Sequence, residues 1–121
     1  MKAIVIDDSR AMRMILSRML KRRGYQEVHQ ATNGLEALGV LHRNRDIALA
    51  LVDWNMPEMD GLTFVTSIRA QPAFRTLKLI MVTSEVEMTQ MQRAIEAGAD
   101  EYVMKPFTED ALMQKLDMVE M

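Results

Sequence analysis

The sequence predicts an α/β domain in which one five-stranded parallel sheet is wound on both faces by helices. Three observations carry that reading. Short apolar runs recur at Ala3–Ile6, Leu49–Val52 and Leu79–Val82, without the alternation of a sheet that has one solvated face, as expected of parallel strands buried on both sides. The segments between them place apolar residues at helical spacing. Two of the runs stop at carboxylates, Asp7-Asp8 and Asp53, and open α/β sheets bind ligands at the carboxyl ends of their strands.

At 121 residues the chain suits a single domain spanning 1–121, long enough to bury roughly two-thirds of the surface its unfolded form exposes. A hydrophobic content of 49% with 26% charged residues describes an ordinary globular protein, and the low aromatic content leaves aliphatics and methionine to fill the core. The net charge of -2 provides no field attracting nucleic acid or anionic lipid. Without cysteine, a spanning apolar stretch or a signal segment, the expectation is a cytoplasmic protein that binds neither membrane nor nucleic acid and uses no thiol chemistry.

Taken in order, Ala3–Ile6 is the first strand and Ser9 caps a helix with Met12, Ile15, Leu16, Met19 and Leu20 on its inner face. Lys21-Arg22-Arg23 before Gly24 complement that helix's negative end. Glu27 to Ala31 is half-polar and suits an edge strand, and Asn33-Gly34 turns the chain into a second helix facing inward through Leu35, Leu38 and Leu41. That helix ends near Asn44, and the central strand runs from Ile47 to Val52, closed by Asp53 and Pro57. After the turn Glu58-Met59-Asp60-Gly61, residues Leu62, Val65 and Ile68 define a third helix that fades at Gln71-Pro72. Leu79–Val82 forms the fourth strand, ending in Thr83-Ser84 and Glu85. Met88, Met91 and Ile95 mark a fourth helix capped at Gly98. Glu101–Met104 is the fifth strand, and Thr108 opens a last helix with Ala111, Leu112, Leu116 and Val119 turned inward.

Right-handed crossovers between these strands place helices on both faces, with the order 2-1-3-4-5. The first and third strands then flank the switch point, so Asp7, Asp8 and Asp53 gather at one crevice, with Thr83 and Lys105 from the next two strand ends. Asp7-Asp8 alone would read as a helix cap; beside Asp53 that preference reverses. Clustered carboxylates repel one another and call for a cation, and oxygen donors without His or Cys point to magnesium, which shares its shell with phosphate. An aspartate can attack phosphorus to form an acyl phosphate, for which a cation, Lys105 and Thr83 provide alignment and charge neutralisation.

Asp7-Asp8, Asp53 followed by Asn55-Met56-Pro57 and Asp60-Gly61, then Thr83, Tyr102 and Lys105-Pro106-Phe107 together resemble the receiver domain of two-component response regulators, over essentially the whole chain. Within that family the likeness is to the single-domain chemotaxis regulators, through Asp53-Trp54-Asn55-Met56-Pro57, Glu85 and Lys105-Pro106-Phe107-Thr108. The resemblance implies a flavodoxin-like (βα)5 fold, Asp53 as phosphoryl acceptor, and magnesium held by Asp8, Asp53 and the Asn55 carbonyl, with Asp7 acting through metal-bound water. It also implies that Thr83 and Lys105 contact the phosphoryl group, that Tyr102 rotates to report it, and that Lys105-Pro106 is a cis peptide. Asn55 and Glu85 would flank the path of hydrolytic water. Read apart from the resemblance, Trp54 is simply a cover over the pocket.

The expected protein is a monomeric signalling switch without an output domain, not an enzyme in the ordinary sense. It is phosphorylated by a histidine kinase or phosphotransfer protein and docks a target through helix 4, strand 5 and helix 5, in chemotaxis or motility. That face would include Glu87, Met88, Met91, Tyr102, Met104 and Lys115. Glu87-Met88 stand where motor-binding relatives have lysines, which implies a different or modified partner. Ser84 replaces their alanine. Other functions consistent with the pattern are a phosphorelay intermediate or phosphate sink. A phosphatase would carry a DxD motif instead of Asp53-Trp54-Asn55, and a flavin module would need a Ser/Thr/Gly-rich loop where Asp7-Asp8 stand.

Overall fold

A computed structural model describes residues 1–84 and 89–120. Its one sheet has strands β1 (Lys2–Ile6), β2 (Glu27–Ala31), β3 (Ile47–Asp53), β4 (Lys78–Thr83) and β5 (Glu101–Met104), with helices α1 (Arg10–Arg23), α2 (Gly34–Arg43), α3 (Gly61–Arg69), α4 (Met91–Ala97) and α5 (Glu109–Glu120) between and after them. All neighbouring strands pair in parallel, in the order β2-β1-β3-β4-β5. The predicted topology is therefore the observed one, and Asp53 is the last residue of the central strand.

Two apolar layers flank the sheet. Strand residues Ala3, Val5, Leu49, Leu51, Ile80, Val82 and Val103 pack with Leu16 and Leu20 of α1 and with Leu112, Leu116 and Val119 of α5. Their alternates, including Ile4, Ile6, Val52, Leu79 and Met81, pack with α2, α3 and α4. This alternation is the period-two geometry of a strand, and continuing it by one residue assigns Asp53 to the α1/α5 side. Trp54, its successor, is 5% exposed and packs in the α2–α4 layer. Its indole is enclosed in that layer rather than lying over the pocket.

Capping fixes where helices begin. Ser9 accepts the Met12 N–H at 3.2 Å, Asp60 the Thr63 N–H at 2.8 Å and Thr108 the Ala111 N–H at 3.1 Å. Asn33 accepts from Glu36 N at 2.8 Å, while Glu36 accepts the N–H of Thr32, one residue ahead of the cap, at 3.1 Å. Gly24 and Gly98 end α1 and α4 at φ 117 and 124 degrees, where a Cβ is disfavoured.

Two inward stripes differ from expectation. Leu35 is 52% and Ile15 44% exposed. The buried positions of α2 are Gly34, Ala37 and Leu41; Gly34 meets the Met59 side chain, where a Cβ would lie 2.8 Å from Met59 Cγ, and Leu35 is turned outward. The basic end of α1 also does more than oppose the helix dipole. Arg22 is forked onto Glu109, Arg23 pairs with Asp117 and Glu120, and Tyr25, from the turn that follows, donates to Glu120. Arg69, at the end of α3, donates to Gly98 O and Phe74 O at 2.9 Å and pairs with Asp100 at 2.9 Å, which joins α3 to the α4–β5 turn. Among the described residues, no helix is long and apolar enough to cross a membrane.

Candidate functional site

The carboxyl edge of the sheet brings three predicted acids together. Carboxylate oxygens of Asp7, Asp8 and Asp53 all lie within 4.8 Å of one another. Asp7 and Asp53 are buried and Asp8 is exposed, so two charges are enclosed and the third faces water. Asp7 continues β1: its N–H donates to Ala31 O at 3.0 Å. Its carbonyl accepts from Arg13 at 2.8 Å, and Arg13 in turn bonds Gln30 at 3.1 Å. This support was not visible in the sequence, where Arg13 reads as one more basic residue on α1.

Lys105 enters from the end of β5. Its Nζ donates to Asp53 Oδ1 at 3.0 Å and lies 3.6 Å from Asp7 Oδ2, the second distance too long for a hydrogen bond. Asp7 Oδ1 accepts the Ser9 N–H at 2.8 Å, whereas Asp7 Oδ2 is buried with no hydrogen-bond partner among the described residues. A buried carboxylate oxygen without a donor is costly. A divalent cation would satisfy it, and the all-oxygen donor set suits magnesium.

The electrostatics follow from enclosure. Burial pushes the Asp53 carboxyl up to about 6; the Lys105 hydrogen bond opposes this and the Asp7 charge adds to it. Burial likewise raises Asp7, against the Ser9 N–H and Lys105. For Lys105, burial acts downward, but its hydrogen bond and attraction to Asp53 outweigh it and the ammonium is held above its ordinary value. Near neutral pH the site therefore holds an ionised Asp53 against a firmly charged lysine.

Gly61 sets the approach of α3 to the acceptor strand. Its N–H donates to Trp54 O at 2.9 Å, and a Cβ there would meet Asp53 O at 2.5 Å and the Met81 Cε at 2.8 Å. The preceding turn holds Glu58 at φ 67 degrees, an uncommon conformation for a residue other than glycine. Asn55 follows β3 and is exposed. Thr83 ends β4, directly after Val82, the register partner of Asp53, and is fully buried; its hydroxyl donates to Ser84 O at 3.3 Å. Lys105-Pro106 is cis, as expected.

Tyr102 is half-buried opposite Met81 in the ladder, and the next pair but one is Thr83 with Met104. Tyr102 thus shares a sheet face with Thr83 and packs against the α2–α4 layer. Met104 and Ile95 are each 42% exposed, but Met91 is buried and does not belong to the predicted docking face. Glu85, Glu87 and Met88 lie outside the described residues. Beside Lys105, an apolar groove of about 430 Å³ is lined by Met12, Ile15, Met19, Pro106 and Phe107.

A family model described as the response regulator receiver domain matches residues 3–117. Chemotaxis protein CheY1 of Helicobacter pylori strain J99 is 42% identical over 119 residues, covering 98% of this chain and 96% of that protein. A CheY homolog of Campylobacter jejuni is 41% identical over 98% of this chain and 92% of its own length. The solved structure of the chemotaxis response regulator CheY4 of Vibrio cholerae superposes with a TM-score of 0.89 at 33% identity, over 98% of this chain and 97% of that one.

Proposed function

Since the chain belongs to the response regulator receiver family, we propose that it is a CheY-type signalling switch in which Asp53 accepts a phosphoryl group from a histidine kinase or phosphotransfer protein. The observation that carries this is the buried Asp53 carboxylate, 3.0 Å from the Lys105 ammonium and clustered with Asp7 and Asp8. An ionised Asp53 oxygen forms the P–O bond as the donor's P–N bond breaks, and the departing imidazole keeps the electron pair and takes a proton. Lys105 then faces a phosphoryl oxygen in place of the carboxylate it now holds, and Thr83 supplies a hydroxyl from the adjacent strand. The groove along Met12, Ile15 and Phe107 offers the donor an apolar surface next to the acceptor.

Asp7, Asp8, Asp53 and the Asn55 carbonyl are the residues that would hold magnesium, and the orphaned Asp7 Oδ2 supports that assignment. Bound there, the ion supplies charge neutralisation to the transferring phosphoryl group. Hydrolysis returns the carboxylate, with water entering past Asn55. The protein acts in the cytoplasm as a monomer and signals by docking, in chemotaxis or motility, through α4, β5 and α5. Tyr102 is the reporter, because it shares a face with Thr83. Turning a two-state equilibrium from 1:99 to 99:1 takes about 5.5 kcal/mol, and two or three charge-assisted hydrogen bonds at about 1.5–3 kcal/mol each supply most of it.

The test is chemical. Phosphoramidate with magnesium adds one hydroxylamine-sensitive phosphoryl group to the wild type and none to Asp53→Asn, read by intact mass and peptide mapping. Modification of Thr83 or Ser84 instead would refute the acyl phosphate.

A further inference from the structure

Lys115 and Glu101 make an arrangement around Tyr102 that the phosphorylation chemistry does not use. The Lys115 ammonium sits 4.6 Å from the centroid of the Tyr102 ring. The same Nζ lies 3.1 Å from Glu101 Oε1, and that oxygen also accepts the Tyr102 backbone N–H at 3.1 Å. The side chains of Lys115 and Glu101 are only 27% and 16% exposed, so this pair is shielded more than an ordinary surface ion pair. Glu101 therefore anchors the ammonium next to the tyrosine's own backbone, and the ammonium covers the ring.

We infer that Lys115, aimed by Glu101, is a positioning residue that latches Tyr102 in its present orientation and so sets how readily the domain switches; this rests on the reading of Tyr102 as the reporter. When the ring turns away, the ammonium keeps Glu101 but loses the aromatic face. The cation–ring attraction is then a term present only in the resting state. A partly desolvated contact of this kind favours the resting orientation by about threefold to tenfold. By linkage, while the resting state dominates, the same factor weakens the affinity for anything that binds the switched state. The contacts of the latch are with Glu101 and the Tyr102 ring, so it tunes the equilibrium without entering the chemistry.

The chain has two tyrosines, Tyr25 and Tyr102, so labelling with 3-fluorotyrosine gives two ¹⁹F resonances, which Tyr25→Phe assigns. Titration of the full chain with beryllofluoride and magnesium, a mimic of the acyl phosphate, yields both the Tyr102 resonance and the midpoint of site filling. In Lys115→Ala the Tyr102 resonance of the free protein moves toward its beryllofluoride position, and the midpoint falls by about threefold to tenfold. Lys115→Arg retains a cation and keeps the wild-type midpoint. Glu101→Gln, which keeps the N–H acceptor but loses the charge that aims Lys115, shifts in the same direction as Lys115→Ala by a smaller factor. A wild-type midpoint and resonance in Lys115→Ala would overturn the latch, as would Lys115→Arg behaving like Lys115→Ala. A merely structural role would lower the melting temperature and leave the midpoint in place, which counts against the latch equally. If the wild-type Tyr102 resonance stays still while the site fills, the reporter reading itself fails and the latch falls with it.

Discussion

Replacing Asp53 by Asn isolates the cost of keeping an ionised carboxylate in the pocket. Burial raises this carboxyl from 3.8 to about 6, with the Lys105 hydrogen bond already counted against the rise. At about 1.4 kcal/mol per factor of ten in proton affinity, the displacement amounts to roughly 3 kcal/mol. The native state binds this proton more tightly than the unfolded chain, so stability falls as pH rises from 3.8 to about 6, and the penalty is fully present above that. Asn fills the same volume, still offers Lys105 an acceptor, and carries no charge. In urea denaturation with EDTA at pH 7.5, Asp53→Asn is expected to be more stable than wild type by about 2–3 kcal/mol, narrowing to about 1 kcal/mol at pH 4.5. Saturating magnesium should close the gap at pH 7.5 by stabilising the wild type. A variant no more stable than wild type at pH 7.5, or a gap independent of pH, would refute the argument that enclosure dominates this carboxylate.

Asp8 is exposed, so Asp8→Ala should change urea stability by less than about 0.5 kcal/mol, yet remove the heat of magnesium binding in calorimetry; a wild-type isotherm would mean the acids do not hold the ion. Gly61→Ala forces a Cβ against Asp53 O, and should lower stability by about 1–3 kcal/mol in the same denaturation assay while slowing phosphoramidate uptake. Thr83→Ala should still take up a phosphoryl group but lose the movement of the Tyr102 ¹⁹F resonance; an undiminished movement would separate Tyr102 from Thr83.

The strands were legible because each is a short apolar run closed by a polar signal, and Asp7, Asp8, Asp53, Thr83 and Lys105 were legible because they sit directly after those runs. Capping residues such as Ser9 and Asp60 were equally local. Other features depend on partners far away in the chain. Nothing in the neighbourhood of Arg69 shows that its guanidinium collects the carbonyls of Phe74 and Gly98 together with Asp100. Arg22 and Arg23 read as helix-end charges because their partners, Glu109, Asp117 and Glu120, lie on another helix. Helical spacing located α2 but misjudged its rotation, since large apolar residues were weighted over Gly34 and Ala37, which are buried with Leu41. Gly61 was seen as a turn residue, whereas its contact with Asp53 O depends on how α3 returns to the sheet. Lys115 was expected only on the docking face, and nothing local announced its pairing with Glu101 over the Tyr102 ring.

The seam between α1 and α5 has a consequence for how the chain is made. Arg22 reaches across 87 residues to Glu109, and Arg23 across 94 to Asp117. The α2–α4 side of the sheet gains α2 and α3 by residue 69 and α4 by residue 97, but Ala3, Val5, Leu49 and Leu51, covered early by α1, wait for Leu112 and Leu116 to close their layer. With translation at about 5–20 residues per second, that wait lasts several seconds on the ribosome. The two faces of this small sheet therefore mature at different times, and the late face, the one onto which Asp53 opens, is where a nascent chain is most exposed to aggregation and to chaperones.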